Sequence, residues 1–358
     1  MNKRTLALGL VTASGFLVAC SGSDNASEAV SASADTAQES TVAFSYPDGS
    51  SHPVTAWGDP DLQGMWPIMH VFSTPLQRNE RYGDREVLTD EEYEGAQANL
   101  ARREANYQRE IEGGQMGMGH WAETTTRSEA ARLTSLIVYP PDGRFPDLTA
   151  RGEELRPFFG SDDTRQVFDS PDSDFDSWDR CITRGLPNSM LPFNYNNGIR
   201  IIQSPGFVVI DIEMIHESRI VPIDGRPSLE SEIQQWMGES RGYWEGPTLV
   251  VETTNFNGEV NMTNPGIPGS PRGDTPSTTG MRTTERFTRI NDVRIDYEMT
   301  IEDPEVLTDK WTLRYPMILD EAYQFFEYAC HEDNTAVRNF IEMSRYERGL
   351  SPSGEPLQ

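Results

Sequence analysis

The residues of this chain best suited to acid–base chemistry are a few histidines and tyrosines. His216 lies in the segment FVVIDIEMIHESRIVPI, residues 207–223, where apolar and polar residues alternate. The alternation predicts one long β-strand with His216 on the apolar, inward face, next to Met214. We consider two roles for this histidine: a core residue held by a backbone carbonyl, or a general base at the mouth of a pocket. Histidine suits the second role because its ordinary pKa lies near neutral pH.

Three further residues complete the candidate catalytic set. His331 follows Cys330 in YACHEDN, where a carboxylate of the acidic turn could orient its ring; an exposed histidine at a strand end is the alternative. Tyr297 and Tyr315 occupy inward positions of two predicted strands and are candidate partner acids for His216.

Candidate ligand-binding residues are aromatic, apolar or basic. Arg241 and Trp244 lie in the predicted hairpin SRGYWEG, where an aromatic ring with flanking charges can grip a sugar or an aromatic ring. Simple hairpin packing is the alternative. Met214 and Trp311 are predicted to face inward, where they would line a cavity. Of the other histidines, only His120 suggests a role, as part of a lid in a glycine-rich loop.

The sequence predicts neither a metal site nor a cofactor. It contains no HExxH, HxH or CxxC motif, and no GxSxG, GxGxxG or GxxxxGK[ST] motif. The segment DSPDSDFDSWD, residues 169–179, alternates aspartates as a calcium loop does. It lacks the central glycine and the final glutamate of such a loop, so we expect a solvated acidic loop, with bound calcium as the open alternative.

The first twenty residues, MNKRTLALGLVTASGFLVAC, predict export. Basic residues precede a short apolar run, which is typical of a signal peptide. The run ends in Leu17-Val18-Ala19-Cys20, which resembles the lipobox of bacterial lipoproteins. The resemblance implies removal of residues 1–19 and acylation of Cys20, which would anchor the chain to the bacterial envelope, with the outer membrane favoured. A secretory signal with an unrelated cysteine is the alternative.

The composition of the chain and its predicted segment boundaries are also typical of an exported protein. Residues 20–55 are mostly small and polar and predict a flexible tether, followed by a single β-rich domain over residues 56–350 and a tail over 351–358. The formal net charge is −27. A charge of this sign and size repels phosphate backbones, so nucleic acid is excluded as a partner.

Two cysteines remain once Cys20 is acylated. Cys181 and Cys330 could form a disulfide in an oxidising compartment. Two buried free thiols, or a reactive cysteine near His331, are the alternatives.

The pattern of elements predicts a mainly β fold. A capping box at Thr89 and Glu92 begins a helix that runs to about Gly113, and AVRNFIEMSRYERG predicts a C-terminal helix. Eight or nine strands, among them DPDLQGMWPI before the first helix and YQFFEYACH before the second, predict an antiparallel meander or a lipocalin-like barrel with long loops. Asn291-Asp292 predicts a two-residue hairpin turn, and EIQQWMGES predicts a short helical segment.

Several segments carry a family resemblance. They include DLQGMW, EMIHESR, YWEGPTLVVETTNF and YACHE, and they extend from about residue 60 to 345. In these segments the chain resembles a group of exported bacterial proteins of uncharacterised function. The resemblance implies export and brings no reaction with it.

Three functions are compatible with these observations. The first is a cofactor-free acid–base enzyme, an isomerase, lyase or hydrolase acting on a small apolar or aromatic molecule in a pocket. The second is a carrier of a hydrophobic ligand, and the third is a structural lipoprotein of the envelope. An ionisable group predicted inside the fold favours the enzyme.

Overall fold

This computed structural model describes residues 45–114, 131–156, 167–263, 266–271, 275–332 and 334–357. Within these residues, twelve strands and three α-helices are connected by turns and irregular segments. The helices are α1 (Asp90–Glu112), α2 (Ala150–Leu155) and α3 (Ala336–Glu347). The strands are β1 (Gly64–Met65), β2 (Ile137–Tyr139), β3 (Ile199–Ser204), β4 (Phe207–Ile212), β5 (Glu217–Pro222), β6 (Glu239–Glu245), β7 (Thr248–Thr254), β8 (Asn261–Thr263), β9 (Thr275–Pro276), β10 (Arg282–Asn291), β11 (Arg294–Glu302) and β12 (Trp311–Ile318).

The strands form three antiparallel sheets. One has the order β1-β3-β4-β5, the second has the order β2-β12-β11-β10-β7-β6, and β8 pairs with β9. The prediction of a mainly β, antiparallel meander is confirmed. The described strands lie in open sheets, so the alternative of a lipocalin-like barrel is wrong for this part of the chain.

One hydrophobic core joins the two larger sheets. It includes Ile199 and Ile201 of β3, Val208 and Ile210 of β4, and the inward residues of β7, β10, β11 and β12. In β11, Ile295, Tyr297, Met299 and Ile301 are all fully buried, as the alternation in the sequence predicts. Burial of one face of each sheet therefore holds the two sheets together.

Local signals position α1 and the main hairpins. Thr89 and Glu92 form the predicted capping box: the Thr89 hydroxyl accepts from the Glu92 amide at 3.3 Å, and the Thr89 amide donates to the Glu92 carboxylate at 2.8 Å. Strands β3 and β4 are joined at Pro205-Gly206, as predicted, and Gly206 has the positive φ of 81° that such a turn requires.

Four predicted elements differ from the observed ones. DPDLQGMWPI contributes only the two-residue strand β1, and YQFFEYACH forms irregular backbone and turn. EIQQWMGES forms turns leading into β6. Strand β10 continues through Asn291, so the hairpin turn is Asp292-Val293. Two of these segments are held by distant partners, which overrides local preference: the Gln235 amide donates to the Asn255 carbonyl at 2.9 Å and the Phe326 amide to the Glu213 carboxylate at 2.8 Å.

The packed part of the chain also begins before the predicted boundary at residue 56. Tyr46 and His52 are buried, their rings lie 5.0 Å apart, and the Tyr46 hydroxyl donates to Asp292 at 3.2 Å. These apolar contacts order a stretch that the sequence predicts as tether. Among the described residues, no helix is both long and apolar enough to span a membrane.

Candidate functional site

The predicted inward position of His216 is wrong. Residues 213–216 form a turn between β4 and β5, and His216 is exposed with a φ of +50°. Its amide donates to the Glu213 carbonyl at 2.7 Å and closes the turn. The turn breaks the alternation, because Met214 and Ile215 are consecutive and both buried.

The side chain of Glu213 explains why the chain turns here. Its fully buried carboxylate accepts from the amides of Gly198 at 3.0 Å and Phe326 at 2.8 Å, and from the Tyr323 hydroxyl at 2.6 Å. Asn196 donates to it as well, at 3.0 Å. Four donors compensate the loss of hydration of this carboxylate and fasten the 320s segment to the turn.

The other candidate acids and bases lie in different surroundings. His331 is exposed in a turn. Tyr297 and Tyr315 are buried side by side, with ring centroids 5.0 Å apart. Tyr297 donates to the Glu285 carboxylate at 2.8 Å, and Tyr315 donates to the carbonyl of Met190. Burial first, and then the Glu285 charge, raise the pKa of both tyrosines well above its ordinary value, so they act as neutral donors.

The predicted ligand-binding residues also lie in different surroundings. Met214 and Trp311 are buried, and Trp311 packs against Phe145 with ring centroids 4.8 Å apart. Trp244 is half-buried against the hydrophobic core. Arg241 differs from these three, because it lines an open cleft.

This cleft lies between the two large sheets, where edge strands β5 and β6 approach each other. Its volume is about 600 Å³. Its charged and polar lining includes Glu217, Arg219, Gln234, Glu239, Ser240 and Arg241, and its apolar lining includes Ile182, Trp236 and Met237. We call it the Glu217 cleft. Its size is in the range of small-molecule sites, which combine apolar walls with a few converging polar groups.

The pKa of the Glu217 carboxyl group, at the wall of this cleft, is displaced by its surroundings. The side chain is half-buried at the start of β5. Burial raises its pKa above the ordinary value of 4.5, and this effect exceeds the opposing effects of a hydrogen bond to Thr183 and of the charges of His216 and Arg219. A carboxyl group of this kind exchanges a proton more readily near neutral pH than an ordinary glutamate does.

A fixed cation lies beside Glu217. The Arg219 guanidinium is buried and donates to both oxygens of the fully buried Glu285, at 3.0 Å through Nη1 and by a shorter contact through Nη2. Nη2 also contacts the Ser240 hydroxyl at 3.2 Å. Glu285 in turn accepts from Tyr297. The bidentate pair therefore joins β5 of one sheet to β10 of the other and holds a positive charge at the cleft wall.

A second ion pair borders the same cleft. Arg241 of β6 pairs with the buried carboxylate of Glu239 and donates to the Pro227 carbonyl at 3.2 Å. Glu239 accepts from the Leu229 amide at 3.0 and 2.9 Å. These bonds fix the backbone that leads into Trp236 and Met237 on the apolar wall.

The disulfide predicted between Cys181 and Cys330 is present, with Cα atoms 5.6 Å apart. It joins the irregular segment before β3 to the segment before α3. The predicted acylation site Cys20 and the predicted lid residue His120 lie outside the described residues.

The predicted acidic loop shows no metal geometry. Asp174 accepts the amides of Asp169 and Ser170 at 2.7 Å each. Within the described ranges, no group of three or more His, Cys, Asp or Glu side chains is arranged to hold a metal ion.

Sequence reasoning missed Glu217 and Arg219, which line the cleft, and Glu285, the buried partner of Arg219. A signal was available: Glu285 shares the inward face of β10 with Phe287, and Arg219 shares the inward face of β5 with Val221. Two inward charges of opposite sign predict a buried pair, because burying either charge alone is costly.

Comparison of the chain with protein-family models, with curated proteins and with solved structures gave no match.

Proposed function

We propose that this protein is an enzyme that uses cofactor-free acid–base chemistry in the Glu217 cleft. The observation that carries the proposal is Glu217 itself, a half-buried carboxyl with a raised pKa at the wall of a cleft of about 600 Å³. Perturbed titratable groups in a cleft are typical of catalytic sites.

Glu217 and the groups around it can each be given a role in such a site. Glu217 transfers a proton to or from the substrate. The buried Arg219 stabilises the negative charge that develops on the substrate. Because Glu285 and Tyr297 hold the guanidinium in place, little reorganisation is needed when that charge appears. Trp236 and Met237 contact the apolar or aromatic part of a small substrate. Isomerisation, elimination and hydrolysis all fit this set of groups.

The test is a turnover assay of the full chain against small aromatic and aliphatic esters, lactones and hydroxy ketones, with products followed by mass spectrometry. For any compound converted, Glu217→Gln should lower kcat/KM by about 100-fold or more, the usual range for loss of a general acid or base. The matched control is Glu302→Gln, at an exposed position of β11 outside the cleft.

Two outcomes would contradict the proposal. Equal turnover by wild type and Glu217→Gln would remove the proposed acid–base group. A compound that binds and is recovered unchanged would favour the carrier of a hydrophobic ligand instead.

We further propose that the enzyme is exported and anchored to the bacterial envelope through Cys20. Two observations support this location: the lipobox-like sequence at residues 17–20, and the disulfide between Cys181 and Cys330, since disulfides persist in oxidising compartments.

A further inference from the structure

A second cavity lies on the outer face of the six-stranded sheet, where the start of α1 and residues 131–133 pass over β11 and β12. Its volume is about 410 Å³. Three arginines line it, Arg132, Arg294 and Arg314, together with a single carboxylate residue, Asp296. We call it the arginine pocket.

The lining of this pocket is rich in arginine although the whole chain is acidic. The sequence carries 57 acidic and 30 basic residues, whereas the lining holds three arginines and one carboxylate residue. Guanidinium groups bind carboxylates through charge-assisted hydrogen bonds, which are often bidentate.

The arginines are available to a ligand although each has an ionic partner. Arg132 pairs with Asp90 at 2.7 Å, Arg294 with Asp296 at 2.7 Å, and Arg314 with Glu86 at 2.8 Å. All six side chains are at least 40% exposed. Exposed pairs of this kind contribute little to stability, so an incoming anion can share or replace them at small cost. Each guanidinium carries five N–H donors, more than one carboxylate oxygen uses.

Apart from His70, the rest of the lining is mainly apolar or aromatic. Leu133 and Ile318 contribute aliphatic surface, and the Tyr93 ring lies under the Arg132 guanidinium at 4.2 Å from its centroid. This surface would not be needed for an inorganic anion, which is fully hydrated in solution. It fits a ligand with both a carboxylate and an apolar body.

We propose that the arginine pocket is a binding site for amphiphilic carboxylates, that is, aromatic or aliphatic acids of small size. The carboxylate contacts Arg294 and Arg314, and the apolar body lies along Leu133, Ile318 and Tyr93. The site is separate from the Glu217 cleft and does not depend on catalysis there.

The test is isothermal titration of the full chain carrying Cys20→Ala with 4-phenylbutyrate and with its neutral analogue 4-phenylbutyramide. The acid should bind at least about tenfold more tightly than the amide, the effect expected of a charge-assisted hydrogen bond. Arg314→Gln and, separately, Arg294→Gln should each weaken binding of the acid by about tenfold.

The matched control is Arg286→Gln. Arg286 is also an exposed arginine of the six-stranded sheet, paired with Glu245 at 2.8 Å, and it lies outside the pocket lining. This variant should bind the acid as wild type does. Equal binding of acid and amide, or unchanged binding by both pocket variants, would overturn the proposal. So would loss of binding in Arg241→Gln alone, which would place the acid in the Glu217 cleft.

Discussion

At the residue scale, the site depends on one carboxyl group whose protonation is shifted by its surroundings. Glu217 follows the exposed His216 directly in sequence, yet the two side chains have different environments. The polypeptide places the histidine at the tip of a turn and the glutamate at the first position of β5, where the cleft partly covers it. Burial of the carboxyl makes it the acid–base candidate that the histidine was predicted to be.

The raised pKa of Glu217 also predicts a pH dependence of stability. The folded protein binds this proton more tightly than the unfolded chain does, so the contribution of Glu217 to the free energy of unfolding falls as pH rises from about the ordinary value of 4.5 to the folded pKa. The Glu217→Gln variant lacks this pH-dependent loss of stability. Urea denaturation from pH 4 to pH 8 should therefore show the variant gaining stability relative to wild type as pH rises, and then a constant difference.

Other carboxyl groups titrate in both proteins, and their contributions cancel in that difference. A constant difference across the whole pH range would mean that the pKa of Glu217 is the same in the folded and unfolded chains, and it would weaken the proposed role.

At the scale of elements, the two large sheets are joined by charge as well as by apolar packing. Arg219 and Glu285 are separated by 66 residues in sequence and meet between β5 and β10 with almost no exposure. Glu213 plays a similar part for the turn after β4, where it binds the irregular segment that precedes α3. Both carboxylates are buried only because several donors surround them.

Removing one partner of the Arg219–Glu285 pair should lower the free energy of unfolding far more than removing both charges. Arg219→Met leaves the Glu285 carboxylate buried without its main partner and should lower the free energy of unfolding by about 3–5 kcal/mol. The double variant Arg219→Met/Glu285→Gln should recover much of that loss, because the remaining amide is neutral and Tyr297 can still donate to its oxygen.

Urea denaturation of both variants is the measurement. Arg286→Gln is the control on the same strand; its exposed pair with Glu245 should be worth at most about 1 kcal/mol. A double variant as unstable as the single one would show that the guanidinium contributes mainly through packing.

At the scale of the whole molecule, two features support the proposed extracytoplasmic location. The disulfide closes a separation of 149 residues, which in the chain-entropy account stabilises the fold by about 4–5 kcal/mol. The lipobox-like sequence predicts that Cys20 is acylated, leaving Cys181 and Cys330 as the pair that remains.

This arrangement predicts a specific result on expression in a bacterial host. Wild type should sediment with membranes and incorporate labelled palmitate, since two or three acyl chains anchor a protein stably. Cys20→Ala should lose the label and leave the membrane fraction. In both proteins, Cys181 and Cys330 should resist alkylation until a reductant is added. Palmitate incorporation by Cys20→Ala would contradict the assignment of the anchor.

The sequence alone determined the features that follow from residue type and local spacing. Alternation predicted the faces of β11, the Thr89–Glu92 spacing predicted the start of α1, and cysteine parity predicted the disulfide. The first two signals reflect a local geometry, the strand pleat or the first helical turn, that surrounding structure leaves intact. The third follows from the number of cysteines alone.

Only the tertiary structure decided the site. The turn at residues 213–216 forms because Glu213 finds donors more than 100 residues away, in Tyr323 and Phe326, and this turn carries His216 out to solvent. The cleft lies where β5 and β6 of the two sheets approach each other, and the Arg219–Glu285 pair joins these sheets. Such pairings depend on sheet order and register over long distances in sequence, so no local pattern specifies them.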